Sequence, residues 1–577
     1  MLKKLSRIFL TCVLLMTSTY TTSCHNCVFD KKILQDEYLA ISATCQTPAE
    51  YYYSCECGRT GEETFKSGIF SLCKYTQEVV SDEYLKTEAT CTTPAVYYKS
   101  CEICGKRGPH FQTFKYGECG DCKEFSEIVN GKFLYLEATK TESAVYYKSC
   151  PLCGMIGTET FSYGQPLKTY TDEEKIPYTP ISLTVSLYDS ENSIYGFTCN
   201  TEKEPLRPVL QVAKGTTLHN YKEYAVQVEK CFSYDANNLT MTYYVLKAEA
   251  LLEGNEVYTY RIYDKYVETG TPTVTIQTKN VKATNFSFVH VSDTQEYPNA
   301  FANVLKSVSV NTDFLLHTGD IVESSKYEHE WKAMLNGNFQ YLSQLPMMAI
   351  AGNHETTYKN GSNETYKHFN NKIPEQTSTS LGYFYSFTYG NAKFIMLNTN
   401  ELSGNRLNSE QYNWLVNELQ NNKETWTIVS MHNPMYSVGK YGMDPARNQP
   451  ALGLQAQLQG LFAQYRVDIV LQGHDHTVSR TYPINGKGEP QKESTQVING
   501  VEYSINPNGV LYLMNGTSGG QTRGPHALDN KFYKYAQASN ASSWAEFTIE
   551  GNMMTVSVNY YTENGIQTYQ SWGIKKN

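Results

Sequence analysis

The chain has 577 residues, 40% of them hydrophobic and 19% charged, with a formal net charge of −9. That length exceeds one ordinary hydrophobic core, so roughly two to four domains are expected. An acidic balance with no long basic run excludes the electrostatic footprint of a nucleic-acid-binding protein.

At the amino terminus Lys3, Lys4 and Arg7 precede the apolar run IFLTCVLLM, and small polar residues follow. That order is the pattern of a secretory signal, here over residues 1–23. The run is short for a membrane span, and no other stretch approaches about 18 apolar residues. The mature protein is therefore expected at the cell surface or secreted, without a transmembrane anchor. Cys24 opens a second route, as the lipid-bearing first residue of a bacterial lipoprotein. Thr21 stands where such a processing site carries an aliphatic residue, so plain cleavage is the default.

Residues 24–165 contain three repeats: ATCQTPAEYYYSCECGRTGEETF, ATCTTPAVYYKSCEICGKRGPHFQTF and ATKTESAVYYKSCPLCGMIGTETF. Thirteen of the 16 cysteines lie here. Cys27, Cys45, Cys55 and Cys57 in the first unit align with Cys73, Cys91, Cys101 and Cys104 in the second. In the third, Lys140 replaces the second cysteine, yet Cys119, Cys122, Cys150 and Cys153 restore four. Four thiolates with a glycine after the second pair suit a structural zinc, giving zinc-ribbon-like modules. Two disulfides per unit are the competing reading, which export favours. Either way the cysteines act as staples, because units this small cannot bury enough core. The stretches EYYYS and VYYKS read either as strands of these modules or as a surface for a partner.

From residue 174 to 282 the texture changes to LTVSLYD, SIYGFTC, MTYYVLKAEALL, VYTYRIYD and PTVTIQT. Alternation with period two, broken by turn residues, predicts an antiparallel β-sandwich. Cys199 and Cys231 fall here, as a disulfide or as two buried thiols. No acids or histidines cluster in this region, so it reads as a spacer or a wall beside an active site.

Beyond residue 284 the apolar runs FSFVHV, FLLHTG, MMAIAG, KFIMLN, TIVSM and DIVLQ alternate with helical stretches. This predicts an α/β core over residues 284–575. Polar blocks follow nearly every run: SDTQ, GDIVE, GNHE, HNP and GHDH. Ligands in α/β sheets gather beyond the carboxyl ends of the strands, so these blocks should meet along one edge. They supply Asp293, Asp320, Asn353, His432, His474 and His476. Oxygen and nitrogen donors without thiolate suit iron, manganese or zinc, and a shared aspartate can bridge two ions.

The five blocks, in this order, resemble those of the calcineurin-like metallophosphoesterases, and the preceding β-sandwich is similar to the purple acid phosphatase branch. The resemblance implies a four-layer α/β fold, a β-sandwich flanked by helices, behind a fibronectin III-like domain. It further implies that Asp293, Asp320 and His476 hold one metal, while Asp320, Asn353, His432 and His474 hold the other. Asp475 is then a loop residue, and His354 stabilises the transition state or protonates the leaving oxygen. Two positions depart from the family. Gln295 stands where many relatives have histidine, and Glu323 where the purple branch has a metal-bound tyrosine; Gln295 is the expected ligand for the vacant place, with Glu323 or a water as the alternatives. After the HNP block only Lys440 and Tyr441 are available for substrate contacts. Arg480 reads as a phosphate contact or a structural ion pair, and NGTSGG at 515–520 as a glycine turn beneath the site.

The expected protein is an exported phosphoesterase acting on phosphate monoesters, like an acid phosphatase. Two cations would lower the pKa of a shared water, whose hydroxide attacks in line. A phosphodiesterase or nucleotidase using the same centre is one alternative. A surface binding protein with a vestigial catalytic domain is the other.

Overall fold

The computed structural model describes residues 28–577 apart from 42–47, 57, 68–72, 89–92, 103–104, 110, 117–124, 152, 309–310, 357–362, 375–382, 441–448, 525–530 and 540. The expected signal segment and Cys24 lie outside the described residues. So do Cys27, Cys45, Cys57, Cys91, Cys104, Cys119, Cys122 and Tyr441. The chain divides into two units, residues 1–167 and 168–577.

In the first unit each repeat forms a small antiparallel sheet. The three are Leu39–Ile41, Ala49–Ser54 and Thr60–Ser67; Leu85–Thr87, Ala95–Tyr98 and Thr113–Tyr116; and Leu134–Leu136, Ala144–Ser149 and Ile156–Tyr163. The same positions are buried in each copy: Tyr38, Tyr84 or Phe133 before the first strand, and Ala49, Ala95 or Ala144 opening the second. Gly58, Gly105 and Gly154 all take positive φ, which costs glycine nothing. Their amides donate to the carbonyls of Cys55, Cys101 and Cys150 at 3.0, 2.9 and 2.8 Å. A glycine turn therefore follows an aligned cysteine in all three copies, closing three residues on from Cys55 and four residues on from Cys101 and Cys150.

The second unit begins with antiparallel strands. Ile181–Asp189, Ile194–Thr201, Thr240–Leu251, Lys222–Tyr234, Pro208–Lys214 and Val257–Asp264 are adjacent in that order, and Val274–Gln277 pairs with the last. The long strand Lys222–Tyr234 changes partner along its length: Lys222–Ala225 pairs with Pro208–Lys214, and Val226–Tyr234 with Thr240–Leu251. Leu183, Val185, Phe197, Leu246, Tyr260 and Ile262 form the apolar interior. Cys199 and Cys231 are separate buried thiols rather than a disulfide.

The remainder is built on two sheets. Strands β1 (Asn285–Val291), β2 (Phe314–His317) and β3 (Met347–Ala349) run parallel at one end of the first. That sheet continues through the antiparallel strands Ser543–Glu550, Met553–Thr562 and Gly565–Lys575. The second sheet carries β4 (Trp426–Met431), β5 (Ile469–Gln472) and β6 (Leu511–Asn515), again parallel. β2 to β6 are buried along their whole length, as the continuous apolar runs of doubly covered strands require.

Between the sheets aromatic rings interlock. Phe288 stacks on Phe547 at 4.4 Å and meets Phe394 of the second sheet edge-on at 5.2 Å. Phe288→Ala would cost about 3–5 kcal/mol, because its neighbours cannot close the gap. On the outside, α1 (Pro298–Ser307) and α2 (Glu328–Gly337) cover the first sheet through Phe301, Val304, Trp331 and Leu335. α3 (Ser409–Asn421) and α4 (Gln449–Gln464) cover the second through Leu415, Leu419, Leu458 and Phe462. This four-layer arrangement brings the carboxyl ends of β1 to β5 together. Among the described residues no helix is long and apolar enough to cross a membrane.

Candidate metal centre

Three of the parallel strands, β1, β2 and β5, end in turns that their residue types would not choose freely. Asp293, Gln295, Asp320, His474 and His476 all have φ between 44° and 76°. Left-handed backbone at a non-glycine residue persists only where the surroundings impose it, and such residues cluster at functional sites. The glycines of the motifs have a separate purpose, which is close approach. A Cβ on Gly352 would lie 2.1 Å from Asp320 Oδ1, and one on Gly473 would lie 2.3 Å from Ser292 Oγ. Both turns pack backbone against a carboxylate or its support.

The six expected ligands other than Gln295 converge. Donor atoms of Asp320, His432 and His474 lie within 4.8 Å of one another. His432 Nε2 is 3.2 Å from Asp320 Oδ2 and 3.0 Å from Asn353 Oδ1. His476 Nε2 is 3.2 Å from Asp293 Oδ1. The far edges of two rings are fixed: His432 Nδ1 donates to the Thr318 carbonyl at 2.8 Å, and His476 Nδ1 to the Gln521 carbonyl. A nitrogen that donates to a carbonyl carries the proton, so each Nε2 presents its lone pair inward. Carboxylate, amide and imidazole donors, buried and converging, fit borderline cations such as iron, manganese or zinc.

The carboxylates draw positive charge to the same point, where a cation would take the place of the proton on His432 Nε2. Burial alone would favour a neutral His432, yet Asp320, and more weakly Asp293, push its pKa up to about 9. His474 goes down to about 3 because burial is reinforced by neighbouring His432. Burial works against the Asp293 carboxylate, but His476, His432 and a 2.5 Å hydrogen bond from Ser292 Oγ hold it well below the usual carboxylate range. The pocket is arranged to keep negative charge on its aspartates.

The residues around the ligands separate into clear tasks. His354 donates from Nδ1 to the Glu323 carbonyl at 2.6 Å, and its Nε2 lies 3.8 Å from Asp320 Oδ2. Gln295 enters the site with its amide nitrogen 3.2 Å from His354 Nε2. The Glu323 carboxylate is half exposed and lies 3.6 Å from His354 Nδ1, on the side of the ring opposite Asp320. Asp475 accepts from Ser437 Oγ at 2.5 Å, consistent with a loop role. Arg480 lies 4.2 Å over the Trp572 ring within a buried strand, which is a packing position. In the 515–520 turn, Thr517 Oγ1 and the Gly520 amide both donate to the Asp293 carbonyl, at 2.7 and 2.8 Å, which clamps the backbone below that ligand.

Glu355 is the organising group that the sequence reading missed. Fully buried, it accepts amide hydrogen bonds from Asp320, Ile321, Val322 and Gly352 at 2.6 to 3.2 Å, joining the GD and GNHE turns. The signal was its place in the GNHE block. Arg523 was also missed; its charge disfavours protonation of His476, two residues beyond the carbonyl that holds that ring.

Residues 286–478 match the family model of the calcineurin-like phosphoesterases. These residues therefore form a calcineurin-like metallophosphoesterase domain. Its relatives place it on the purple acid phosphatase-like branch. The chain is 30% identical over 233 residues to human acid phosphatase type 7, covering 37% of this chain and 49% of the human protein. It is 28% identical over 216 residues to an uncharacterised protein of Mycobacterium tuberculosis, covering 34% and 40%. The chain thus spans under half the length of these curated relatives. The fold is also that of a purple acid phosphatase from yellow lupin (Lupinus luteus) seeds, with a TM-score of 0.58 at 16% identity over 76% of this chain and 80% of that one.

Proposed function

We propose that this chain is an exported hydrolase that cleaves phosphate monoesters at a dinuclear metal centre. The observation that carries the reading is the convergence of Asp320, His432 and His474 within 4.8 Å, with the Asp293 and His476 pair beside them. Asp293, Asp320 and His476 would hold one ion; Asp320, Asn353, His432 and His474 would hold the other. When bound, two such cations activate water and neutralise charge on the phosphoryl oxygens.

The protein's own groups supply the rest. Carbonyls of Thr318 and Gln521 orient the imidazoles, and Glu355 keeps the two ligand turns in register. His354 is partly exposed, with 25% of its side chain accessible, so its Nε2 can reach a substrate's leaving oxygen and, from the doubly protonated ring that, against burial, Asp320 and Glu323 favour, deliver a proton there. Elemental analysis of the purified chain, followed by assays on phosphomonoesters, phosphodiesters and nucleotides, tests the reading. Preference for diesters would move the assignment to a phosphodiesterase.

The repeats enter the proposal as structural zinc modules, about one ion per unit. The support is four cysteines in each copy and a positive-φ glycine three residues after Cys55 and four residues after Cys101 and Cys150. Thiol titration under denaturing, non-reducing conditions decides between this and disulfides, which would leave no titratable thiol. Amino-terminal sequencing of the extracellular protein tests export, with cleavage expected near residue 23.

A further inference from the structure

Gln295 occupies a place that its neighbours have prepared. It follows β1 in the SDTQ turn with φ of 44°, and its amide donates to the Asp320 carbonyl at 3.0 Å. The residue is 6% exposed and its side chain lies along Gly520, where a Cβ would lie 2.4 Å from Gln295 Oε1. A glycine there opens the slot that the glutamine fills. The slot delivers the amide nitrogen to 3.2 Å from His354 Nε2.

The other side of the ring is already committed. His354 Nδ1 faces the Glu323 carbonyl at 2.6 Å, and a carbonyl only accepts, so Nδ1 carries the hydrogen. In that tautomer Nε2 has the lone pair, and the Gln295 amide is the donor that meets it. The ring is thus held from both edges, by main chain on one and by Gln295 on the other. Asp320 Oδ2 stands 3.8 Å from the same Nε2. An amide also has an oxygen at its tip, so a rotation about the last bond lets the same residue accept when Nε2 bears a hydrogen.

We propose that Gln295 is a positioning residue for His354, aiming its Nε2 edge at the substrate, rather than a ligand of the first metal. This rests on the reading of His354 as the group that meets the leaving oxygen. Gln295 touches neither substrate nor reacting atoms; its effect passes through the imidazole.

The test uses the full chain loaded with Zn²⁺, comparing wild type, Gln295→Ala, His354→Ala and the double variant. Zinc content should be the same in wild type and Gln295→Ala. With p-nitrophenyl phosphate, Gln295→Ala should lower kcat about tenfold with KM within about twofold, and should change kcat less than about twofold when His354 is already alanine. In chains carrying ¹⁵N-histidine, the ring signals that vanish in His354→Ala should shift in Gln295→Ala, as the single tautomer gives way to an exchanging pair.

Loss of one zinc per chain in Gln295→Ala would make the residue a ligand and overturn the proposal. An equal fall in kcat in both backgrounds would overturn it as well, as would unchanged ring signals. If the wild type binds zinc but cleaves no phosphomonoester, the proposed function fails by itself, while zinc content and ring signals still decide the role of Gln295.

Discussion

Two buried clusters of ionisable groups lie in residues 168–577, and they behave oppositely. One is the ligand cluster. The other joins the strand Ile194–Thr201 to α2 on the helical face of the first sheet. There Glu328, 1% exposed, accepts from Asn200 Nδ2 at 2.5 Å and lies 3.6 Å from His368 Nε2. The His368 ring is stacked on Trp331 at 4.0 Å. Burial dominates in this second cluster, pushing Glu328 up to about 8, His368 well below its ordinary value and Lys247 down to about 7. Its members shed their charges. In the ligand cluster burial is as complete, but imidazole edges meet the carboxylates at 3.2 Å and Asp293 stays ionised. Burial by itself therefore does not mark a cation site; converging lone pairs on charged oxygens do.

The largest break in this contrast should come from removing the shared carboxylate. Asp320→Asn is expected to empty at least one metal site and lower kcat/KM by about 10³ or more, since both ions depend on it. Elemental analysis beside steady-state kinetics reads both effects. His354→Ala sharpens the same boundary: kcat should fall by about 10² to 10⁴ with both metals retained. His474→Ala should instead lose its own ion. Equal metal loss in the two variants would make His354 part of the scaffold.

The second cluster should answer to pH rather than to metal. An unfolded glutamate keeps its proton only below about 4.3. Folded Glu328 keeps it up to about 8. Between those values the native state binds more protons than the unfolded one, so this group lowers stability as pH rises, by at most about 1.4 kcal/mol per pH unit. Glu328→Gln mimics the neutral acid. Its urea midpoint should match wild type near pH 4.5 and exceed it at pH 8, with kcat unchanged. A constant difference across that range would show that Glu328 is ionised throughout.

The smallest effect is expected from deleting residues 24–164. The repeats contribute no candidate ligand to the phosphoesterase centre, so hydrolysis of a small phosphate ester should stay within about twofold of the full chain.

These contrasts follow how the sequence could be read. Asp293, Asp320, Asn353, His432, His474 and His476 were legible because each follows an apolar run that could only be a buried strand. The strand Lys222–Tyr234 was not, because its alternation is interrupted by charges on an exposed face and it serves two partners. The hydrogen bond from Gln295 to His354 was equally hidden. It depends on a left-handed turn and on the space left at Gly520, and neither can be read from residue type. Glu355 looked like an ordinary turn glutamate until four amides were found on its carboxylate.

Metal stoichiometry with matched turnover tests the central claim most directly. The purified chain, stripped with a chelator and refilled with iron, manganese or zinc, should gain two ions per chain, at least one of which Asp320→Asn cannot hold, separate from any ions bound by the repeats. Phosphomonoester hydrolysis should disappear on stripping and return on refilling. A chain that takes up no ions dependent on Asp320, or one that holds both and releases no phosphate, would contradict the account.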